Sequence, residues 1–369
     1  MASLFILPTL AYYPAHRKKL MYAGLVICVA ALLGAAFATE VWHLILTQGV
    51  LYSIGGTLLY FPMSVNVFEW FDKKRGLANG ILYSGTYLGG AVMPFIIEVL
   101  LNKFGLRVTF TSLAITYAVL VASVLPFVKG RLPSSPLDIP NRPDWSFLRN
   151  PKFAILVFGN FLQGLGNFIP PLWLPTFATD MNMSVTAGSL TVSLMNASGI
   201  PGSVILGHFA DKYDLRIIML ISILGSSLSV LLLWGLSSSL PPLLAFALIY
   251  GCLAAPFSSL WPKFCSVVSN KPNHTTQLIG IFIGSRGIGN VLAGPISTSL
   301  LHMRLVGSHN GPTYGYYLKG YGPLILFTGI IIFTSMVGTL YSSPGKVTGA
   351  QSNDEKAGLD CDTLTRTIS

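Results

Sequence analysis

Trp70-Phe71-Asp72-Lys73-Lys74-Arg75-Gly76-Leu77-Ala78-Asn79-Gly80-Ile81-Leu82-Tyr83-Ser84-Gly85-Thr86-Tyr87-Leu88-Gly89 is the stretch that decides the architecture. Its charged cluster, Asp72 to Arg75, stands between two long apolar runs, 44–68 and 77–101. Each run is long enough to cross a hydrocarbon core of about 30 Å as a helix. Lys and Arg gathered between two such runs mark a cytoplasmic loop by the positive-inside rule. The stretch therefore reads as two membrane helices joined at the cytoplasmic face.

The same grammar extends along the chain. Further apolar runs lie at 20–39, 106–128, 152–178, 187–209, 216–236, 242–262, 277–301 and 320–341, which makes ten in all, with a shorter apolar piece at 1–15. The connectors alternate. One set, 16–19, 72–75, 129–151, 211–216 and 263–276, holds fifteen Lys and Arg once flanking residues are allowed. The other set, 40–43, 102–105, 179–186, 237–241 and 302–319, holds four. That asymmetry puts the first set in the cytoplasm. The tail 342–369 is polar and is expected on the same side, disordered.

Composition agrees. The chain of 369 residues is 52% hydrophobic and only 10% charged, with a mean hydropathy of +0.64. A soluble domain cannot hide that much apolar surface, whereas lipid solvates it. The net charge of +10 does not mark a nucleic-acid binder, because the basic residues sit in short clusters between apolar runs. Cys28, Cys252, Cys265 and Cys361 have no metal or redox spacing, and the six His are scattered, so neither a metal site nor a cofactor is expected. Asn182-Met183-Ser184 is a glycosylation sequon in an outer loop.

The loop pattern recurs after about 200 residues. That shift lays Gly80 on Gly280, Ile81 on Ile281 and Gly89 on Gly289, with Pro94 one position from Pro295. The expected architecture is an all-α polytopic membrane bundle of two pseudo-symmetric six-helix halves. The divisions are 1–128, a cytoplasmic linker 129–151, 152–341, and the tail 342–369. Under the same shift, 1–15 corresponds to 201–215, so the first half is expected to lack its first helix and half of its second. A truncated gene model or fragment explains this; a genuinely shortened protein is the alternative.

Two motifs carry a resemblance. The stretch Trp70 to Gly89 resembles the fifth-helix signature of the monocarboxylate-transporter family, through the aromatic pair Trp70-Phe71, the triplet Lys73-Lys74-Arg75, Leu77-Ala78, and the glycines Gly80, Gly85 and Gly89. It departs by Trp for Tyr, Lys for one Arg, and larger residues at two small positions. The chain as a whole looks like the fungal monocarboxylate-transporter-like branch of the major facilitator superfamily. The second motif, Gly207-His208-Phe209-Ala210-Asp211-Lys212-Tyr213-Asp214-Leu215-Arg216, resembles the conserved major-facilitator loop that ties cytoplasmic helix ends together and breaks as the carrier switches access. Asp211 is placed to accept hydrogen bonds from a helix N-terminus; the alternative is a solvated loop charge. The first-half counterpart, Tyr12 to Lys19, has no acidic residue. Gly85 and Gly89 share a helix face and are expected to let another backbone approach closely.

Inside the membrane, Arg286 stands out. A lone Arg at a helix centre is costly and usually faces a cavity or an anionic partner. Its guanidinium fork suits a carboxylate. It is assigned the substrate carboxylate, the alternative being a structural pair with Glu69 or with helix carbonyls. Asn160, Gln163 and Asn167 share one face of their helix and either line a cavity or bond a neighbouring helix. Asn66 and Asn196 are further candidates. Glu98 reads as interfacial.

The expected function is a transporter of a monocarboxylate or similar small organic anion, working by alternating access in the plasma membrane rather than a vacuolar or other internal one. Proton coupling stays open. The resemblance associates it with a first-helix Lys and an eighth-helix Asp/Arg pair, and 187–209 carries neither Asp nor Arg. A non-transporting membrane sensor and an inactive truncated product are the alternatives. An enzyme is not expected, because no catalytic cluster of His or acids lies at membrane depth.

Overall fold

A computed structural model describes residues 17–71, 74–128, 130, 145–269, 272–303, 315–318 and 320–341, apart from a few side chains. Residues 1–16, Asp72, Lys73, most of the 129–151 linker, most of the 302–319 loop and the tail 342–369 lie outside that description. So do the side chains of Glu69 and Asn273.

The described residues are all helical or irregular; nine helical stretches are long and apolar enough to cross a membrane, and the longest divides at Gly105, which gives ten segments. They are α1 (Arg17–Ala36), α2 (Val41–Trp70), α3 (75–104), α4 (106–124), α5 (Pro151–Asp180), α6 (Val185–Lys212), α7 (Leu215–Trp234), α8 (Leu240–Val268), α9 (Pro272–His302) and α10 (Tyr321–Thr339). Each matches one apolar run of the sequence, with ends displaced by a few residues. Helix starts follow local chemistry. Asn150, Ser184 and Asp214 cap α5, α6 and α7 by accepting from the amides of Lys152, Ala187 and Arg216 at 3.0, 3.2 and 2.9 Å.

α3 and α4 form one continuous helical stretch interrupted at Gly105, whose φ of 75° and ψ of 179° suit glycine alone. Fifty unbroken residues would run about 75 Å at about 1.5 Å each, more than twice the hydrocarbon core. The packing confirms two crossings. Tyr117 and Val121 of α4 lie on Met21, Leu25 and Cys28 of α1, while at the far end Arg107 stacks on Phe37 at 4.6 Å. α4 thus returns to the face from which α3 set out.

The two halves meet along α3 and α6, which run antiparallel. Gly76 faces Gly207, Gly80 faces the Ser203 carbonyl, and Tyr87 lies on Gly199. Small residues one turn apart on both helices bring the backbones together, the usual route to tight packing in lipid. This corrects the expectation for Gly85 and Gly89. A Cβ at either would meet no described atom within 4 Å. The close approach uses the glycine pair Gly76 and Gly80, about two and a half turns earlier. Gly80→Val should therefore force the α3–α6 crossing apart and cost about 1–3 kcal/mol. Gly85→Ala should be neutral or stabilising, by up to about 1 kcal/mol from helix propensity. Thermal midpoints of the purified protein in detergent check both, and equal midpoints for the two variants would contradict the packing.

Candidate functional site

The site begins with how α5 and α9 cross. They run parallel, and glycines let them touch. A Cβ on Gly164 would meet the Arg286 backbone, and one on Gly289 would meet Phe161 O and Leu165 N. That contact fixes the polar face of α5 against α9. Asn160 Nδ2 donates to Phe282 O and to Ser285 Oγ, both at 2.8 Å. Asn160 Oδ1 accepts from Trp261 Nε1 of α8 at 2.9 Å. Gln163 Nε2 donates to Ala254 O at 3.1 Å. Of the two readings left open for this stripe, bonding to a neighbouring helix is the one observed.

Arg286 is the centre of the arrangement. It stands nine residues past Gln277, where the apolar span of α9 begins, so about 14 Å along a helix rising about 1.5 Å per residue. That is close to the middle of an about 30 Å core. Only 9% of its surface is exposed. Its Nη1 donates to Gln163 Oε1. Asn167, with its amide oriented so that both polar atoms are satisfied, accepts from Arg286 Nη2 at 2.9 Å and donates to Ala254 O at 3.2 Å. Two neutral amides from α5 therefore hold the guanidinium. Among the described residues no carboxylate pairs with it; Glu69, the alternative partner, has a side chain outside the description. A guanidinium has five N–H donors, so donors remain beyond the two these amides engage.

Three tyrosines stand near the cation. Tyr83, Tyr87 and Tyr250 lie within electrostatic range of Arg286. Tyr87 donates to Ala255 O. Tyr60 of α2 donates to the Tyr83 hydroxyl at 2.7 Å, and Tyr83 meets Trp261 edge-on at 5.9 Å. The chain Tyr60–Tyr83–Trp261–Asn160 links α2, α3, α8 and α5 and so bridges the halves. Asn290 stands one turn beyond Arg286 on the same face, and its Oδ1 is buried with no partner among the described residues.

These residues were not among the sequence candidates. The available signals were the spacing of Tyr83 and Tyr87, four apart on one face, and that of Arg286 and Asn290. Of the sequence candidates, Arg286, Asn160, Gln163 and Asn167 come together. Asn66 and Asn196 do not join them. Asn66 Oδ1 accepts from Arg17 Nη1 at 3.3 Å near the cytoplasmic end. Asn196 Nδ2 donates back to Val192 O at 2.9 Å, and its side chain lies over Gly90.

The cytoplasmic motif is assembled as a clasp. Asp211, at the end of α6, accepts from the amides of Gly76 and Leu77 at 2.9 Å each. It so caps the first turn of α3, where free amides and the helix dipole favour a carboxylate. Lys212 is exposed. Arg216 lies over the Tyr341 ring at 4.8 Å and donates to Tyr341 O. Burial pushes the Tyr341 phenol above its ordinary value, so it stays neutral there. In the signature stretch, Trp70, Phe71 and Lys74 are exposed. Arg75 Nε bonds Phe71 O at 3.1 Å, and Ala78 and Gly80 are buried. Lys73 lies outside the described residues.

A bundle of membrane crossings in two joined sets, with a buried cation between them and a clasp at one face, defines a membrane carrier. The Major Facilitator Superfamily model matches residues 2–294 and, in an overlapping match, 156–359; the chain belongs to that family and is an integral multi-pass membrane protein. It is similar to the MFS-type transporter pynF of Aspergillus niger, 29% identical over 79% of this chain and 67% of the relative. It is also similar to the agnestins efflux protein AgnL12 of Paecilomyces divaricatus, 26% identical over 87% of this chain and 70% of the relative. With the probable transporter MCH2 of Saccharomyces cerevisiae it shares 27% identity over 75% of this chain and 58% of the relative. Its fold matches that of FucP, a Major Facilitator Superfamily transporter solved in the outward conformation, with a TM-score of 0.63 at 13% identity, covering 92% of this chain and 88% of that one.

Proposed function

We propose that this protein carries organic monoanions across the plasma membrane by alternating access, with Arg286 as the residue that receives the carboxylate. The observation behind this reading is a mid-membrane guanidinium held, among the described residues, by amide oxygens. Neutral dipoles keep the cation in place without cancelling its charge, and its remaining donors suit the two oxygens of a carboxylate. The Asp211 clasp supports alternating access, because it joins the halves at the cytoplasmic face and two hydrogen bonds must break for that face to open. The working units are the half-bundles 1–128 and 152–341, connected through 129–151. Relatives named as efflux proteins favour export as the direction.

Accelerated exchange tests the reading. The full chain is reconstituted in liposomes preloaded with unlabelled benzoate, and entry of labelled benzoate is followed. The expected result is entry several-fold faster than into empty vesicles holding the same protein. Equal rates in correctly inserted protein would refute anion carriage by alternating access.

A further inference from the structure

Arg286 explains how an anion is held by its charged end and says nothing of the rest of the molecule. A second feature lies beside it. A cavity of about 360 Å³ is walled by Tyr52, Ser53, Gly56, Thr57, Tyr60 and Phe61 of α2 and by Ile283 of α9. Ile283 is three residues before Arg286, so the two share a face of α9 and are neighbours on it. Tyr60 connects cavity and cation from the other side, since its hydroxyl bonds Tyr83, which lies in the field of Arg286. The cavity thus lies between α2 and α9, and Ile283 and Tyr60 stand between it and the candidate site.

Its wall is chemically one-sided. The Ser53 hydroxyl donates to Gly49 O, that of Thr57 to Ser53 O at 2.7 Å, and that of Tyr60 to Tyr83. Three of the four hydroxyl protons on this face, those of Ser53, Thr57 and Tyr60, already have an acceptor inside the protein. What remains is methyl, methylene, aromatic and glycine surface. A second carboxylate, a phosphate or a row of hydroxyls entering here would lose water and find at most the Tyr52 hydroxyl as donor, which is unfavourable. An apolar body would lose only ordered water.

Size narrows the class further. At about 30 Å³ per water molecule, the cavity has room for roughly a dozen waters. Acetate or lactate would leave most of it wet. From these two features together we infer that the preferred ligand is an amphipathic monoanion. One carboxylate meets Arg286, and a bulky aromatic or branched apolar body fills the pocket against Tyr52, Gly56 and Tyr60 of α2. This rests on the carboxylate-binding reading of Arg286 and adds the class of body to it, with Gly56 as the residue that sets the permitted size.

Gly56 also supplies the test. A Cβ there would meet no described atom within 4 Å, so Gly56→Phe fills the pocket without forcing the backbone, and the helix gains from losing a glycine. The purified full chain is titrated with acetate, 1-naphthoate and succinate, in the natural form and as Gly56→Phe and Arg286→Gln. The expected result is naphthoate binding at least tenfold tighter than acetate, with succinate weaker than both. Gly56→Phe should weaken naphthoate at least tenfold and acetate by much less, and Arg286→Gln should weaken both. Equal affinities for acetate and naphthoate, or naphthoate binding untouched by Gly56→Phe, would overturn the inference while leaving the anion reading intact. Binding that is indifferent to Arg286→Gln would overturn the anion reading itself.

Discussion

Arg286→Lys is expected to lower organic-anion uptake ten- to a hundredfold while the protein still inserts and folds. Lysine keeps the positive charge, so long-range attraction for an anion survives. It loses the planar fork that spans Gln163, Asn167 and a carboxylate at once. A charged hydrogen bond is worth about 1.5–3 kcal/mol, which corresponds to roughly the stated range if one such bond to the substrate is lost. The amides of Gln163 and Asn167 retain Ala254 O of α8 as an acceptor, and Asn160, Gly164 and Gly289 still hold α5 to α9, so membrane insertion should not suffer. Uptake of labelled benzoate, normalised to protein in the membrane, is the measurement. Unchanged uptake would remove Arg286 from the binding role and leave it a packing residue.

Asp211→Ala should open the cytoplasmic clasp. Its two bonds to the first turn of α3 join residues 135 and 134 positions away in the chain, and they are charge-assisted. Allowing for partial exposure, their joint contribution is on the order of 2 kcal/mol, about thirtyfold in the balance between clasped and open forms. Deuterium exchange at the amides of Gly76 and Leu77 should speed up by about that factor. Asp211→Asn, with a single acceptor oxygen, should fall between. Transport should fall as well, because a carrier biased to one face turns over slowly. Exchange at Gly76 and Leu77 identical to that of the natural protein would show that the clasp does not hold the halves together.

Much of the fold was legible in the sequence because membrane helices announce themselves by length and apolarity. All ten runs became helices, and the basic loops imply the orientation. The direction each helix faces was not legible. In a soluble helix the polar side marks the surface, but here lipid-facing and buried sides are equally apolar, so Gly85–Gly89 and Gly76–Gly80 carry the same signal. Only the position of α6 tells them apart. The Asp211 clasp was expected on general grounds, since a carboxylate after a helix suits the next helix's free amides; which helix it caps depended on the pairing of α3 with α6.

The site divides in the same way. Arg286 was conspicuous because a charge in hydrocarbon is rare, and the stripe Asn160–Gln163–Asn167 was visible by spacing. That the stripe grips Arg286 was not, since it depends on the parallel alignment of α5 and α9. The tyrosines were hidden by their commonness, as Tyr suits interfaces as readily as a binding wall. Asn290 could have been found four residues beyond Arg286 and was missed because a single amide in a membrane helix has many uses.

Holding Arg286 with dipoles instead of a counter-ion has an electrical consequence. Among the described residues nothing neutralises it, so the unloaded binding region carries one positive charge near mid-membrane and a monoanion brings it to zero. Moving one elementary charge through the whole membrane potential involves about 2.3 kcal/mol per 100 mV. On the proposed mechanism, voltage acts on the return of the empty carrier and scarcely on the loaded step. The cell's resting potential would then set how many empty carriers wait at each face, independently of how much substrate is present.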